Sequence, residues 1–494
     1  MYRRIKLGVM ISILALLAGA CARERFDIVL VNGRVVDPET GLDAIRNVGI
    51  RGDTIVRVAA EPLPGTKTID VRGLVVAPGF IDLHQHTQSF DGYRIMALDG
   101  ITTALELETG VPDLRRFVDA RRGRSLIHFG ASASHLAARV LAWSLPLPPA
   151  RLNQGPEAAI ALPTAGPYSN DPPSPSQLDA MLAYLRAQLA AGALGIGMGL
   201  EYSPGATRHE VIRMFGLAAE HGVPVFVHAR AAGRLEPGSS IEAINELIGA
   251  TAITGAALHV VHVNSICLRD APECLSMIAG ARMRGLDVTT EAYPYTAGMT
   301  MIRSALFNPG WRERRAIDYS DIELPEDGSR LTREKFNRMR ASGDPQLVLV
   351  HMNSDSVVDA IMANSLVAVA SDGLAQHPRG AGTHARVLAR YVREQKLITL
   401  TEAIRKMSLM PALRLQKSTS VAKRLGRIQQ GAMADIVVFD PTTIHDEATL
   451  RAPTKPSVGV RYLLVAGVVV IDNGHIVEGV APGRPLTRDT RGAQ

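Results

Sequence analysis

A chain of 494 residues, 46% hydrophobic and 21% charged, is long enough for a large core and a second, smaller domain. Its net charge of +6 is modest for that length, with no long basic run and no interleaved aromatics, which argues against a nucleic-acid partner. Aromatic residues at 4%, with abundant Ala and Gly, suit tight helix-on-strand packing better than an all-β fold.

In chain order, Arg3, Arg4 and Lys6 come first, followed by an apolar stretch over 7–17 and the small residues Ala18-Gly19-Ala20 before Cys21. This is the pattern of a targeting segment, assigned to residues 1–21. It resembles a bacterial lipoprotein signal, whose cysteine is lipidated after cleavage. The expectation is an exported protein, periplasmic or anchored to a membrane through a lipidated Cys21 alone. An ordinary signal peptide with an incidental cysteine is the alternative. Of the other cysteines, Cys267 and Cys274 either pair in an oxidising compartment or remain two buried thiols; their spacing does not decide.

Residues 22–77 read as short strands joined by turns at Asn32-Gly33 and Gly52-Asp53. The same texture returns over 421–494, with strand-like runs at 434–440, 458–465 and 468–471 and turns at Ala466-Gly467 and Asn473-Gly474. Both ends are expected to build one small β-sandwich domain, split by the middle of the chain. Residues 78–420 alternate short apolar runs with amphipathic stretches. The runs are 79–83, 102–108, 125–130, 193–199, 223–228, 258–262, 287–293 and 367–371, and helices are expected at 208–221, 241–254 and 272–284. Eight strand–helix units predict a (β/α)8 barrel, with a doubly wound open sheet as the alternative. Two connections, 140–175 and 298–346, are too long for plain loops and are expected to cover an active site.

Barrel chemistry sits at the C-terminal strand ends. In Ala77-Pro-Gly-Phe-Ile-Asp-Leu-His84-Gln-His86 two histidines stand two residues apart at the end of the first strand, so they share a face. The second run ends in Glu106 and Glu108, the fifth in His228, the sixth in His262 and the eighth in Asp372. Any one of these is unremarkable; Asp372 alone reads as a helix N-cap, and His128 and His259 are assigned to the core. Together they form a donor set for a first-row metal, because so many buried polar groups need a common partner.

This ordered set resembles the amidohydrolase superfamily: HxH on the first strand, His on the fifth and sixth, Asp on the eighth. Pro78 to His86, Gly192 to Gly205, Tyr293-Pro-Tyr-Thr-Ala-Gly298, Ala370 to Gly373 and His377-Pro-Arg379 are similar to the D-aminoacylase / N-acyl-D-amino-acid deacylase group. The resemblance implies one or two divalent metals, zinc foremost, on His228 and His262, with His84 and His86 holding or flanking a weaker second ion. It implies Asp372 as general base and acid, and Tyr202, Tyr293 and Arg379 at the substrate, with Arg379 offering a forked contact to a carboxylate. The implied reaction is hydrolysis of a small-molecule amide, an N-acyl-amino acid, by metal-activated water.

The chain departs from the family in four places. It has no lysine between Lys67 and Lys335 to bridge two metals, and no cysteine near the end of the second strand. A glutamate is the natural replacement, and Glu108 is favoured over Glu106 and Glu201. Asn264 and Met299 replace a lysine and a serine that hold the substrate's carboxylate in the family. Dipeptide or cyclic-amide hydrolysis on the same site is the second reading. A metal-dependent lyase or isomerase, and a degenerate binding lipoprotein, are readings of other classes.

Overall fold

The apolar runs of the middle segment become eight parallel strands because each is buried on both faces. Val225–His228, the fifth, shows the rule: Val225 and Val227 pack outward among the surrounding helices, while Phe226 points into the barrel. In a computed structural model that describes residues 25–145, 166–344 and 346–489, the strands lie side by side in chain order. They are Phe80–Asp82, Ile101–Val111, His128–Ser134, Ile196–Gly199, Val225–His228, Leu258–Val260, Val288–Ala292 and Val367–Val369. All eight runs are recovered; the third is displaced towards its C-terminal end. The leader at 1–21 with Cys21, and residues 146–165 of the first long connection, lie outside the described residues.

The barrel closes between its first and eighth strands through side chains as well as backbone. Asp82 accepts hydrogen bonds from the Ser371 amide at 3.0 Å and the Ser371 hydroxyl at 2.5 Å, and the His86 amide donates to the Gly373 carbonyl at 2.9 Å. Ile81, Leu83, Leu105, Phe226 and Leu415 fill the lower lumen, so the interior is a packed core and not a pore. The expected helices form at Arg208–His221, Ser240–Thr254 and Ala271–Met283. Arg208–His221 has a Thr207–Glu210 capping box at one end and left-handed Gly222 at the other, which explains why its bounds were legible.

Both chain ends meet in one nine-stranded mixed sheet. Its first strand, Phe26–Asp37, pairs in parallel with Gly65–Asp70 over its first half and with Val75–Pro78 over its second. Asn32-Gly33 is therefore not a turn. Asn32 takes φ 64° at a bulge and the strand continues through it. Ile436–Phe439 from the far end of the chain pairs antiparallel with Val75–Pro78, which joins the two halves.

The second long connection has structure of its own. Ala297–Met301, Ile322–Glu323 and Leu347–His351 form a three-stranded antiparallel sheet, with a helix at Arg333–Ser342. Cys267 and Cys274 form a disulfide just beyond the sixth strand. No helix among the described residues is long and apolar enough to cross a membrane.

Candidate active site

The sixth and eighth strands end in unusual backbone. His262 has φ 29° and Asp372 has φ 48°, left-handed values that cost a non-glycine residue energy and that cluster at functional sites. His84 and His86 lie just past the end of the first strand, where chain pairing with Glu106 and Gly373 holds them. All four histidines are buried.

Their ring nitrogens converge on two points. His84 Nε2, His86 Nε2, Glu108 Oε2 and Asp372 Oδ1 surround the first, with Nε2–Nε2 at 3.2 Å, His84 to Glu108 at 3.1 Å and His86 to Asp372 at 3.2 Å. The second is formed by His228 Nδ1 at 2.7 Å and His262 Nε2 at 3.2 Å from Glu108 Oε1. The two oxygens of one carboxylate thus face two donor sets. Glu106 and Glu201, the other candidates for that place, each face the outer nitrogen of a single histidine, His86 and His228, and Glu201 also lines the cavity.

Each histidine uses its second nitrogen on an oxygen. His84 Nδ1 is 2.8 Å from Glu291, His86 Nδ1 is 2.6 Å from Glu106, His228 Nε2 is 3.0 Å from Glu201 and His262 Nδ1 is 2.9 Å from Ser265. Fixing the outer nitrogen fixes which inner nitrogen presents its lone pair, as metal-ligating histidines require. Burial opposes charge throughout the cluster, yet the carboxylates outweigh it at three of the rings: His84 and His86 are raised well above the usual histidine value and His228 to about 9. Glu108 is buried too, but its contacts with His84, His228 and His262 hold it well below the usual carboxylate range. Buried acids and imidazoles this close compensate one another only with shared protons or a shared cation, so the donor set fits a divalent metal.

Tyr202 and Tyr293 line the cavity above this floor, together with Ser265, Thr300 and Arg315. Arg379 does not, and that expectation needs correcting. It is buried behind Asp372, with Nη2 2.9 Å from Oδ2 and Nε donating to the Asp372 carbonyl at 2.5 Å, and its plane covers the Tyr293 ring at 4.7 Å. Nη2 and Nε grip the aspartate, and the buried Nη1 has no partner among the described residues. Asn264 is also turned away, bonded through its amide to the backbone of Tyr293.

Several residues were not found from sequence. Glu291 joins His84 to His259, at 2.8 and 3.0 Å, so His259 braces a ring of the centre through an intermediary. Ser265 orients His262. Asp82 stitches the barrel shut beneath the centre. Arg315 reaches the cavity from the second long connection and is bonded to Glu201. Glu291 and Asp82 do sit on barrel strands, which is a usable signal; Arg315 has none. His128, assigned to the core, is indeed bonded to Asp435 at 3.1 Å, far from this cluster.

Comparison with known proteins agrees with this geometry. N-acyl-D-glutamate deacylase of Alcaligenes xylosoxydans xylosoxydans is 30% identical over 94% of this chain and 98% of its own length. D-aminoacylase of the same organism is 29% identical over the same shares. The crystal structure of N-acyl-D-glutamate deacylase from Bordetella bronchiseptica, complexed with zinc and a phosphonate mimic of the tetrahedral intermediate, superposes with a TM-score of 0.77 at 26% identity. It covers 94% of this chain and 100% of that one. A D-aminoacylase structure shares the fold, with a TM-score of 0.76 at 24% identity. The sequence model of the amidohydrolase family matches residues 67–471, and with the barrel and its strand-end donors in place the chain belongs to that family.

Proposed function

We propose that this protein is a metal-dependent hydrolase of the C–N bond in a linear amide of the N-acyl-amino acid class. One observation carries the reading: Glu108 Oε2 stands 3.1 Å from His84 Nε2 while its Oε1 stands 2.7 Å from His228 Nδ1, one bridging carboxylate between two imidazole sets. Zinc suits such nitrogen and oxygen donors and, when bound, polarises a carbonyl and acidifies water. His228, His262 and Glu108 would hold one ion, and His84, His86 and Glu108 a second.

Asp372 is kept ionised. Burial alone would raise its pKa, but Arg379 and His84 lower it below the usual carboxylate value. An ionised carboxylate at the cavity floor accepts a proton from the attacking water and returns it to the leaving amine, while oxygen adds to the carbonyl carbon and the C–N bond breaks. Arg379 is a positioning residue for that carboxylate. Burial raises Tyr293 to about 12, so at neutral pH its phenol is a hydrogen-bond donor for the developing oxyanion. Tyr202, also raised by burial, is a second donor.

The test is Asp372→Asn. Turnover of an N-acyl-amino acid is expected to fall by ~10³-fold or more, with metal retained on the His228 and His262 side as read by elemental analysis. Unaltered turnover would remove Asp372 from the reaction.

The leader read at 1–21, with Cys21 as lipid acceptor, supports an exported, membrane-anchored enzyme, and the Cys267–Cys274 disulfide fits an oxidising compartment. Incorporation of labelled palmitate that disappears in Cys21→Ser tests the anchor. We take 22–77 and 421–494 as the two parts of the β-domain and 78–420 as the barrel.

A further inference from the structure

At the pole of the barrel opposite the metal-ligating cluster, strands begin and the surrounding helices end. The helix Ala271–Met283 stops there in Arg282-Met283-Arg284, just before the strand Val288–Ala292. The neighbouring helix Ser240–Thr254 stops in Ile253-Thr254, just before Leu258–Val260. Met283 is 82% exposed and Ile253 69%, more than any other large apolar side chain among the described residues. Arg282 and Arg284 donate to backbone carbonyls, those of Val288 and Gly280, both at 2.9 Å, and keep their charge at the surface. A third element ties the two helix ends together: Arg414, next to exposed Leu413, bonds the Leu258 carbonyl at 3.3 Å and Asp287 at 3.0 Å. Lys417 also meets Asp287, at 3.1 Å, so that acid is shared by two cations.

The first described residue, Arg25, lies at the same pole. Its carbonyl accepts from Arg51 at 3.4 Å, and the Gly52 amide donates to Asp27 at 2.8 Å. Asp53, beside them, is held by Arg484 at 2.7 Å and Arg424 at 3.2 Å, and the Arg484 amide donates to His128 Nδ1 at 2.9 Å, at the start of the third strand. From Arg484 the chain crosses the pole to Asp489, whose amide donates to the Ser418 carbonyl next to Lys417. Cys21 precedes Arg25 by four residues, a length of chain that spans at most ~14 Å.

We propose that this pole is a membrane-contact face. It lies on the anionic phospholipid headgroups of the leaflet that holds the Cys21 lipid, with Met283 and Ile253 in the headgroup layer and the cavity turned away from the bilayer. The inference rests on the lipid-anchor reading above and adds an orientation to it. A tether this short keeps the pole at a distance comparable with the Debye length, ~8 Å at physiological salt, over which anionic headgroups attract Arg and Lys. A methionine between two arginines suits that layer, since the thioether reaches the acyl boundary while the guanidiniums stay with the phosphates.

The experiment uses the full chain, purified from membranes and reconstituted in vesicles of phosphatidylglycerol and phosphatidylethanolamine whose acyl chains carry bromine, a short-range quencher of tryptophan. Met283→Trp adds a reporter at the pole, and Glu326→Trp adds one on the second long connection, beside the groove that shares Leu347 with the cavity. The vesicles are expected to quench the emission added by Met283→Trp and to leave that added by Glu326→Trp unchanged. Arg282→Ala combined with Arg284→Ala should weaken docking of the tethered chain by ~30-fold, read as loss of that quenching, with amide hydrolysis at the parent rate. Equal quenching of both reporters, or of neither, in a chain that carries labelled palmitate would overturn the face and leave the anchor standing. A dimer on sedimentation in detergent that shields Met283→Trp without vesicles would give the face to a second copy and overturn it too. A chain that takes up no palmitate would remove the anchor, and this orientation with it.

Discussion

Glu108 is short enough to be held and long enough for its two oxygens to reach two donor sets. Its neighbour Glu106, two residues earlier, faces His86 Nδ1 at 2.6 Å and accepts the Thr109 amide at 3.0 Å. The two glutamates therefore predict different phenotypes. Glu108→Ala is expected to strip metal from both halves of the centre. Glu106→Gln should keep metal but weaken the half held by His84 and His86 by about 10- to 100-fold, since it only steadies a ligand ring. Zinc titration followed by calorimetry distinguishes them, and identical loss in both variants would remove Glu108 from its bridging place.

Elements behave as carriers of these groups. The helix Arg208–His221 supplies Glu210, which is buried with Arg139 and His135, Nη1 to Oε2 at 2.6 Å and Nε2 to Oε1 at 2.7 Å. Arg139 in turn donates to the carbonyls of Tyr168 and Asp171, at 2.6 Å each, tying down the end of the first long connection beside the cavity. Burial works against the charge on Glu210, but His135 and Arg139 prevail and its pKa is lowered to about 2. A lowered acid stabilises the fold above its unfolded value of about 4.3 and loses that contribution as pH falls towards the folded one. Glu210→Gln is thus expected to cost about 3 kcal/mol at pH 7, and the difference from the parent protein should shrink between pH ~4.3 and ~2. Denaturant unfolding across that range checks it; a gap independent of pH would mean that packing, not charge, holds Glu210. The second long connection carries a different load, the cavity wall and Arg315.

For the whole molecule, the metal is expected to act as a ligand of the folded state. Its donors come from the first, second, fifth, sixth and eighth strands, which the unfolded chain does not bring together. Stripping zinc with a chelator should therefore lower Tm by about 4 °C, and added zinc should restore it, if the free metal exceeds its Kd about a thousandfold. Calorimetry with and without chelator reads this directly; an unmoved Tm would mean that the barrel is indifferent to the centre.

How much of this was legible follows from the range of the interactions. Strand and helix order along 78–420 depends on hydrophobic period and on caps such as Thr207 and Gly222, which are properties of neighbours in sequence, and so the barrel and the strand-end positions of His228, His262 and Asp372 could be read in advance. Asn32-Gly33 misled because a bulge and a turn use the same residues, and only the parallel partners on either side keep the strand going. The division of labour among Glu106, Glu108 and Glu201 was open in the residue pattern, since all three are acids near strand ends. Packing separates them, because whether a carboxylate touches one imidazole or bridges two depends on ångström-scale distances between strands. The same holds for Arg379 and Arg315: two guanidiniums of equal chemistry, one turned onto Asp372 and the other left facing the cavity. Local periodicity writes the order of elements into the chain, whereas the partner of each charged group is settled only when segments hundreds of residues apart come into contact.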